Sequence, residues 1–82
     1  MIIREVLKYY QESKGESTRL KSIVKQLNSF YGDIHHNLIT KKHSQEYLKE
    51  RDVSPQTIAR ELNVLSASIN FCFNEDVIDE KP

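Results

Sequence analysis

Apolar residues recur every three or four positions in four stretches of this chain, and that period predicts four amphipathic helices. The first stretch runs from Ile2 to about Ser13 and is interrupted by Lys14-Gly15. The second follows a cap at Ser17 or Thr18 and ends at Gly32-Asp33, where the glycine is expected to adopt a left-handed conformation. Both helices are therefore expected to bury one stripe and to expose the opposite face.

A connector and a third helix are predicted in the middle of the chain. Residues 34–39 are expected to connect the second and third helices, and Thr40 is predicted to cap a helix that runs to about Arg51. The residues expected to face inward from these two segments are Ile34, Leu38, Ile39, Tyr47 and Leu48.

The fourth helix has the clearest start in the sequence. The side chain of Ser54 can cap the first turn, and Pro55 occupies a position where no backbone N–H is needed. After Glu75-Asp76, the residues Val77 and Ile78 are expected to fold back onto the bundle. The predicted buried stripe is Ile58, Leu62, Leu65, Ile69, Cys72 and Phe73. Four helices with short connections predict an all-α fold, a compact four-helix bundle that forms a single domain over residues 1–82.

Composition narrows the class of protein further. The 82 residues suit one small domain, no apolar run approaches the roughly 18 residues of a membrane span, and no secretory signal is evident. The single cysteine excludes a disulfide framework. We therefore expect a cytoplasmic protein without a membrane partner.

The net charge is zero, but its distribution is uneven. Residues 1–51 hold ten Lys and Arg against six Asp and Glu, a balance of +4, and residues 52–82 hold two against six, a balance of −4. A neutral domain can therefore still present a cationic face.

Residues that could carry catalytic or metal chemistry favour structural interpretations. His35, His36 and His43 lack the ligand pairing of a zinc site, so they are predicted to lie at the surface or beside a helix cap. Cys72 is predicted to be a buried small apolar residue. The tyrosines are predicted to pack in the core or at an interface with hydroxyls reaching solvent. No catalytic constellation is evident, so we expect no enzyme activity, no metal and no cofactor in this chain.

Polar residues on the outer faces of two helices suggest binding to DNA. Hydroxyl groups and backbone N–H groups at a helix start suit phosphate oxygens, and Arg or Asn can reach base edges. An ordinary solvated helix face is the alternative explanation for the same residues. They are Gln56, Thr57, Arg60 and Asn63 on the fourth helix, Arg19, Lys21, Ser22 and Lys25 on the second, and Lys41 and Lys42 at the start of the third.

Several segments, in their order and spacing, resemble the core-binding (SAM-like, amino-terminal) domain of phage-type integrases, the tyrosine recombinases. The resemblance covers roughly residues 16–82. The segments are Thr18-Arg19-Leu20-Lys21, Phe30-Tyr31-Gly32-Asp33, Leu38-Ile39-Thr40, Tyr47-Leu48 with Arg51, residues 54–62 and Lys81-Pro82. In that family the domain is a helical bundle that clamps one side of the DNA at the crossover site, and a separate catalytic domain cuts and rejoins the strand.

The resemblance implies that the chain is a fragment of a larger protein, with a catalytic domain beginning just after Pro82. Its partners would be double-stranded DNA, that carboxyl-terminal catalytic domain, and other recombinase protomers in a synaptic assembly. The implied phosphate contacts are Arg19, Lys21 and Lys25; Thr57 and Arg60 would contact phosphate or a base edge, with Gln56 beside them and Lys41 and Lys42 at the periphery. The alternative is a small helical protein–protein interaction domain that uses the Tyr9/Tyr10 and Phe71/Phe73 regions.

Overall fold

Four α-helices account for most of the computed structural model of the protein, which describes residues 1–15 and 17–79. They are α1 (Ile3–Lys14), α2 (Thr18–Tyr31), α3 (Lys41–Glu50) and α4 (Pro55–Asn74), and a short 3₁₀ turn spans His36–Leu38. No strand is present in the described ranges, so the predicted all-α, four-helix architecture is confirmed. The expected junction at Lys81-Pro82 lies outside the described residues.

The predicted side-chain caps begin α2 and α4. The hydroxyl oxygen of Ser17 accepts a hydrogen bond from the backbone N–H of Leu20 at 3.4 Å, and that of Ser54 accepts one from the N–H of Thr57 at 3.3 Å. Pro55 occupies the first turn of α4, as the sequence predicts. These bonds satisfy backbone donors that the first turn of a helix leaves without partners.

Helix α1 begins without a side-chain cap, because Ile2 occupies the capping position. The connector between α2 and α3 supplies acceptors instead. The backbone N–H of Ile3 donates to the carbonyl of Ile34 at 2.9 Å, and that of Arg4 donates to the carbonyl of Gly32 at 3.1 Å. The connector therefore completes the first turn of α1 and fixes α1 beside the end of α2.

One apolar core lies between the helices. Helix α1 packs against α2 and α4, and both α2 and α3 pack against α4. Cys72 is fully buried there, as predicted, and burial raises the pKa of its thiol. The rings of Phe30, Tyr31 and Tyr47 form an aromatic cluster with centroids 4.8–5.3 Å apart. The other buried apolar residues of the helices are Ile3, Val6, Leu7, Val24, Leu27, Ile58, Leu65 and Ile69.

The prediction of a left-handed Gly32 is wrong. Its φ of −51° and ψ of −37° are right-handed helical values. The site favours glycine for a different reason, because a Cβ there would lie 2.5 Å from the carbonyl oxygen of Asn28 and 3.1 Å from Nη2 of Arg4. Close packing around the backbone, rather than an unusual torsion angle, accounts for this glycine.

Helix α4 ends in a Schellman motif around Asp76, which has a left-handed φ of 59°. The backbone N–H of Val77 donates to the carbonyl of Cys72 at 2.8 Å, and that of Asp76 donates to the carbonyl of Phe73 at 3.2 Å. Glycine is the usual residue at such a position because it carries no Cβ. The turn brings Ile78 to a buried position and Val77 to the edge of the core, which confirms their predicted return.

Three residues that the sequence predicts to face inward lie at the surface. They are Leu38 (62% exposed), Leu48 (48%) and Phe73 (36%). In each case a nearby residue takes the buried position, namely His36, Tyr47 or Cys72. Adjacent residues on an α-helix point about 100° apart, so the two residues of the pair Tyr47/Leu48 or Cys72/Phe73 cannot both face the core fully. Leu38 follows His36 by two positions in the 3₁₀ turn, which has about three residues per turn, so the two side chains also point in different directions.

Candidate nucleic-acid interface

A cleft of about 550 Å³ lies between the first turns of α2 and the start of α4. Four of the ten residues predicted to contact DNA line it: Arg19 and Ser22 from α2, and Thr57 and Arg60 from α4. The other lining residues are Thr18, Ile23, Gln26, Arg51 and Glu61. The outer faces that the sequence suggested on two separate helices are therefore two walls of one site.

Both walls include the amino-terminal turn of a helix. Helix α2 begins at Thr18 and α4 begins at Pro55, so Arg19 and Thr57 each lie in a first turn. A helix amino terminus carries a partial positive charge, and the guanidinium groups of Arg19 and Arg60 add full charges beside it. An anionic oxygen entering the cleft would meet cationic groups from both sides.

The other six predicted contact residues do not line the cleft. Lys21 lines a separate groove beside α1, together with Gln11, Glu12 and Gly15. The remaining five are exposed on the outside of their helices: Lys25 on α2, Lys41 and Lys42 at the start of α3, and Gln56 and Asn63 on α4. The structure thus brings together Arg19, Thr57 and Arg60 and spreads the lysines over other surfaces.

A charged network that the sequence reasoning missed forms the inner wall of the cleft. Arg51 donates from Nε to Oε1 of Glu61 at 3.2 Å and from Nη2 to Oε2 at 2.7 Å. Its Nη1 donates to Oε1 of Gln26 at 3.1 Å. The hydroxyl of Tyr47 also donates to Oε1 of Glu61, at 2.5 Å. These bonds link α2, the end of α3 and α4 through side chains.

Hydrogen bonding to Glu61 and burial shift the pKa values of the groups in this network. The Glu61 side chain is 5% exposed and the Arg51 side chain is 23% exposed. The hydrogen bond to Glu61 raises the pKa of the Arg51 guanidinium, and burial followed by the same carboxylate raises the pKa of Tyr47. Burial also raises the pKa of Tyr31. The expectation that tyrosine hydroxyls reach solvent is therefore wrong for Tyr31 and Tyr47, whose side chains are buried.

The register of Glu61 is the sequence signal that could have revealed this network. Glu61 follows Ile58 by three residues and precedes Leu65 by four, which places it on the apolar stripe of α4. A carboxylate on a buried stripe needs a cation or hydrogen-bond donors, because burying an unpaired charge is costly. Arg51, ten residues upstream, supplies the cation.

The three histidines lie at or beside helix caps, and one of them is buried. His43 lies beside a cap as expected, since the backbone N–H of Thr40 donates to its Nδ1 at 3.0 Å. His36 is only 5% exposed, so of the two predicted locations it takes the one beside a cap, directly after His35, which caps the 3₁₀ turn. The connector folds over the chain start and places Nδ1 of His36 3.1 Å from the amino nitrogen of Met1. The described residues contain no group of three or more His, Cys, Asp or Glu side chains suited to a metal.

The aromatic residues of the alternative hypothesis divide into two kinds. Tyr10 and Phe71 meet edge to face, with ring centroids 5.9 Å apart, and join α1 to α4. Tyr9 is 47% exposed and Phe73 is 36% exposed. Tyr10 and Phe71 therefore contribute to packing within the domain. Of these four residues, only Tyr9 and Phe73 offer substantial surface to a partner protein.

The fold is a small all-α domain, and its cleft is lined by three arginines and one glutamate. The family model described as the phage integrase SAM-like domain matches residues 2–82. The chain belongs to this family, whose domain is the non-catalytic amino-terminal part of phage integrases. The resemblance predicted from the sequence is thereby confirmed. Searches of curated proteins and of solved structures found no match.

None of the four helices in the described ranges is both long enough and apolar enough to cross a bilayer.

Proposed function

We propose that this chain is the DNA-binding module of a tyrosine recombinase, which clamps DNA at the crossover site on behalf of a linked catalytic domain. The main support for the proposal is that Arg19, Thr57 and Arg60 line one cleft between the starts of two helices. Membership of the phage integrase SAM-like family supports it independently. In this proposal the catalytic domain and the other protomers of a synaptic assembly are the protein partners.

The chemistry of the cleft suits the backbone of duplex DNA. Arg19 and Arg60 supply guanidinium groups, which pair with two phosphate oxygens at once more readily than an ammonium group does. Thr57 adds a hydroxyl in the first turn of α4, close to the positive end of that helix. Arg60 is also the proposed reader of a base edge, since its side chain is exposed.

The module alone should bind duplex DNA weakly and with strong salt dependence. Few phosphates are contacted, and each contact contributes about −0.9 to the slope of log affinity against log salt concentration. The exposed lysines Lys25, Lys41 and Lys42 would add charge at the margins of the contact.

The experiment is a titration of the 82-residue chain with duplex DNA, followed by backbone amide shifts and repeated over a range of salt concentrations. We expect the largest shifts in the first turns of α2 and α4. Arg19→Ala and Arg60→Ala should each weaken binding and make the salt slope shallower by about 0.9. Lys8→Ala is the matched control, because it removes one exposed cation from α1, away from the cleft.

Two outcomes would contradict this proposal. One is amide shifts that leave both helix starts unchanged at saturating DNA. The other is an equal loss of affinity for Lys8→Ala and Arg60→Ala, which would mean that only the overall charge of the domain matters.

A further inference from the structure

Arg51 is the one arginine of the cleft whose guanidinium is held by other side chains. Glu61 accepts from its Nε and Nη2, and Gln26 accepts from its Nη1. A guanidinium has five N–H groups, so these three bonds leave one N–H on Nη1 and one on Nη2. Of the described residues, the Tyr47 hydroxyl also interacts with this guanidinium, so at least one of the two N–H groups has no acceptor among the described side chains.

The two remaining N–H groups belong to a side chain that lines the cleft. Arg51 keeps 23% of its side-chain surface exposed, whereas its partner Glu61 keeps 5%. The carboxylate is therefore withdrawn from solvent and the guanidinium is not. With Arg19 and Arg60 on the same walls, three cations face one buried anion, and the cleft has a formal charge of +2.

We propose that Arg51 is a preorganised phosphate anchor, which binds a DNA phosphate through the N–H groups that Glu61 and Gln26 leave free. This inference rests on the proposed function and adds Arg51, which belongs to a segment of the family resemblance but is not among the DNA contacts predicted from the sequence. Glu61, Gln26 and Tyr47 act as positioning residues, because they hold the guanidinium in place before DNA arrives. A side chain already fixed by its neighbours loses less conformational entropy on binding than a free surface arginine.

A charge-neutral double variant separates this role from simple electrostatics. R51Q/E61Q removes one cation and one anion, so the formal charge of the cleft stays the same, and it avoids leaving Glu61 buried without its cation. If Arg51 binds a phosphate, the salt slope becomes shallower by about 0.9 although the net charge is unchanged. If the Arg51–Glu61 pair only stabilises the fold, the slope stays at the value of the unmodified chain.

A second measurement uses the unmodified chain and does not depend on how the variant folds. The Nε–H resonance of Arg51 is expected to be protected by its bond to Glu61, which allows it to be followed by ¹⁵N NMR. Titration with duplex DNA should shift this resonance together with that of Arg60. Addition of the same DNA to Arg60→Ala tests the proposed function separately.

The outcomes distinguish the two proposals. A shallower slope for both Arg60→Ala and R51Q/E61Q, with a shifted Arg51 resonance, supports the anchor. If Arg60→Ala alters the slope but the double variant does not, and the Arg51 resonance stays in place, Arg51 is structural and the proposed function still stands. If the unmodified chain does not bind duplex DNA, both proposals fail. If the double variant does not fold, the Arg51 resonance of the unmodified chain decides between the two roles.

Discussion

Gly32 and Asp76 show how far the role of a single residue depends on its surroundings. The glycine adopts ordinary helical torsion angles, and the aspartate adopts the left-handed conformation in which glycine is more common. What decides both positions is contact with other parts of the chain. Asn28 and Arg4 crowd the first, and the returning Val77 defines the second.

At Gly32 the sign of the stability change on substitution by alanine shows whether the entropy of the unfolded chain or the close contact with Asn28 dominates. The φ of −51° at Gly32 suits any residue, so Gly32→Ala would stabilise the protein by about 0.4–1 kcal/mol if only the entropy of the unfolded chain mattered. A Cβ 2.5 Å from the carbonyl oxygen of Asn28 must instead displace backbone. We therefore expect Gly32→Ala to lower the free energy of unfolding by about 1–3 kcal/mol, measured by urea denaturation. An increase in stability would show that the close approach is relieved without cost.

At the scale of the element, each helix end has its own means of satisfying the backbone. Side chains cap α2 and α4, whereas the first N–H groups of α1 donate to carbonyl groups of a connector about thirty residues later in the chain. The end of α4 uses a Schellman motif instead of a side chain. Sequence patterns reveal the side-chain caps of α2 and α4 because the residues involved are close in sequence. They miss the carbonyl groups that complete α1, because these reach α1 only when the chain folds.

The Schellman motif at the end of α4 can be improved by one substitution. Asp76→Gly removes a Cβ from a left-handed residue and a negative charge from a helix carboxyl terminus, and both changes favour the folded state. We expect the free energy of unfolding to rise by about 0.5–1 kcal/mol.

Two further variants at position 76 isolate the causes. Asp76→Asn removes the charge but keeps a side chain that tolerates the left-handed conformation, so it should gain less than Asp76→Gly. Asp76→Ala should gain least of the three, or lose stability. An alanine variant as stable as the glycine variant would mean that charge alone accounts for the effect.

At the scale of the whole molecule, the network around Glu61 joins three helices. Arg51 follows α3, Glu61 belongs to α4 and Gln26 belongs to α2. Tyr47 adds a second bond from α3, and its ring packs at a tilt against Tyr31 and Phe30 of α2. The packing of the aromatic cluster and the shape of the cleft are therefore coupled through one carboxylate.

This coupling predicts how stability changes at high pH. Burial raises the pKa values of Tyr31 and Tyr47 in the folded state, whereas tyrosines of the unfolded chain ionise near about 10. Below about pH 10 both tyrosines are protonated in the folded and the unfolded chain, so their full contribution to stability is present. As the pH rises above about 10, the unfolded chain loses protons that the folded protein retains, so stability falls by up to about 1.4 kcal/mol per pH unit for each tyrosine.

Tyr47→Phe tests the contribution of one hydroxyl to this behaviour. At pH 8 the variant should lose about 1.5–3 kcal/mol, because Glu61 loses a hydrogen bond to its charge. Between pH 10 and 11 its stability should fall less steeply than that of the unmodified protein. Urea denaturation at each pH measures both effects, and Tyr9→Phe, on an exposed ring, is the control for the pH 8 value. An identical pH dependence in the Tyr47 variant would contradict the assignment.

Much of the fold was predictable because its signals are local. The period of apolar residues gave all four helices, and Ser17 and Ser54-Pro55 marked two of their starts. The predicted burial failed at Leu38, Leu48 and Phe73, where the exact rotation of a segment is set by the neighbour that fills the core. Hydrophobicity alone does not show which of two adjacent apolar residues, such as Tyr47 and Leu48, is buried.

The candidate site was predictable only in part. Arg19, Thr57 and Arg60 were identified as polar residues on outer faces, but their separation of about forty residues in sequence gave no indication of a shared cleft. Glu61 stood on a buried stripe without a recognised partner.

The sequence by itself determined the helices, the side-chain caps of α2 and α4 and the family to which the chain belongs, because each of these depends on residue types at short, fixed spacings. The tertiary structure decided which cations share a site, which face each buried residue takes and how Arg51 is held. Those properties depend on contacts between segments distant in the chain, and such contacts exist only once the helices have packed.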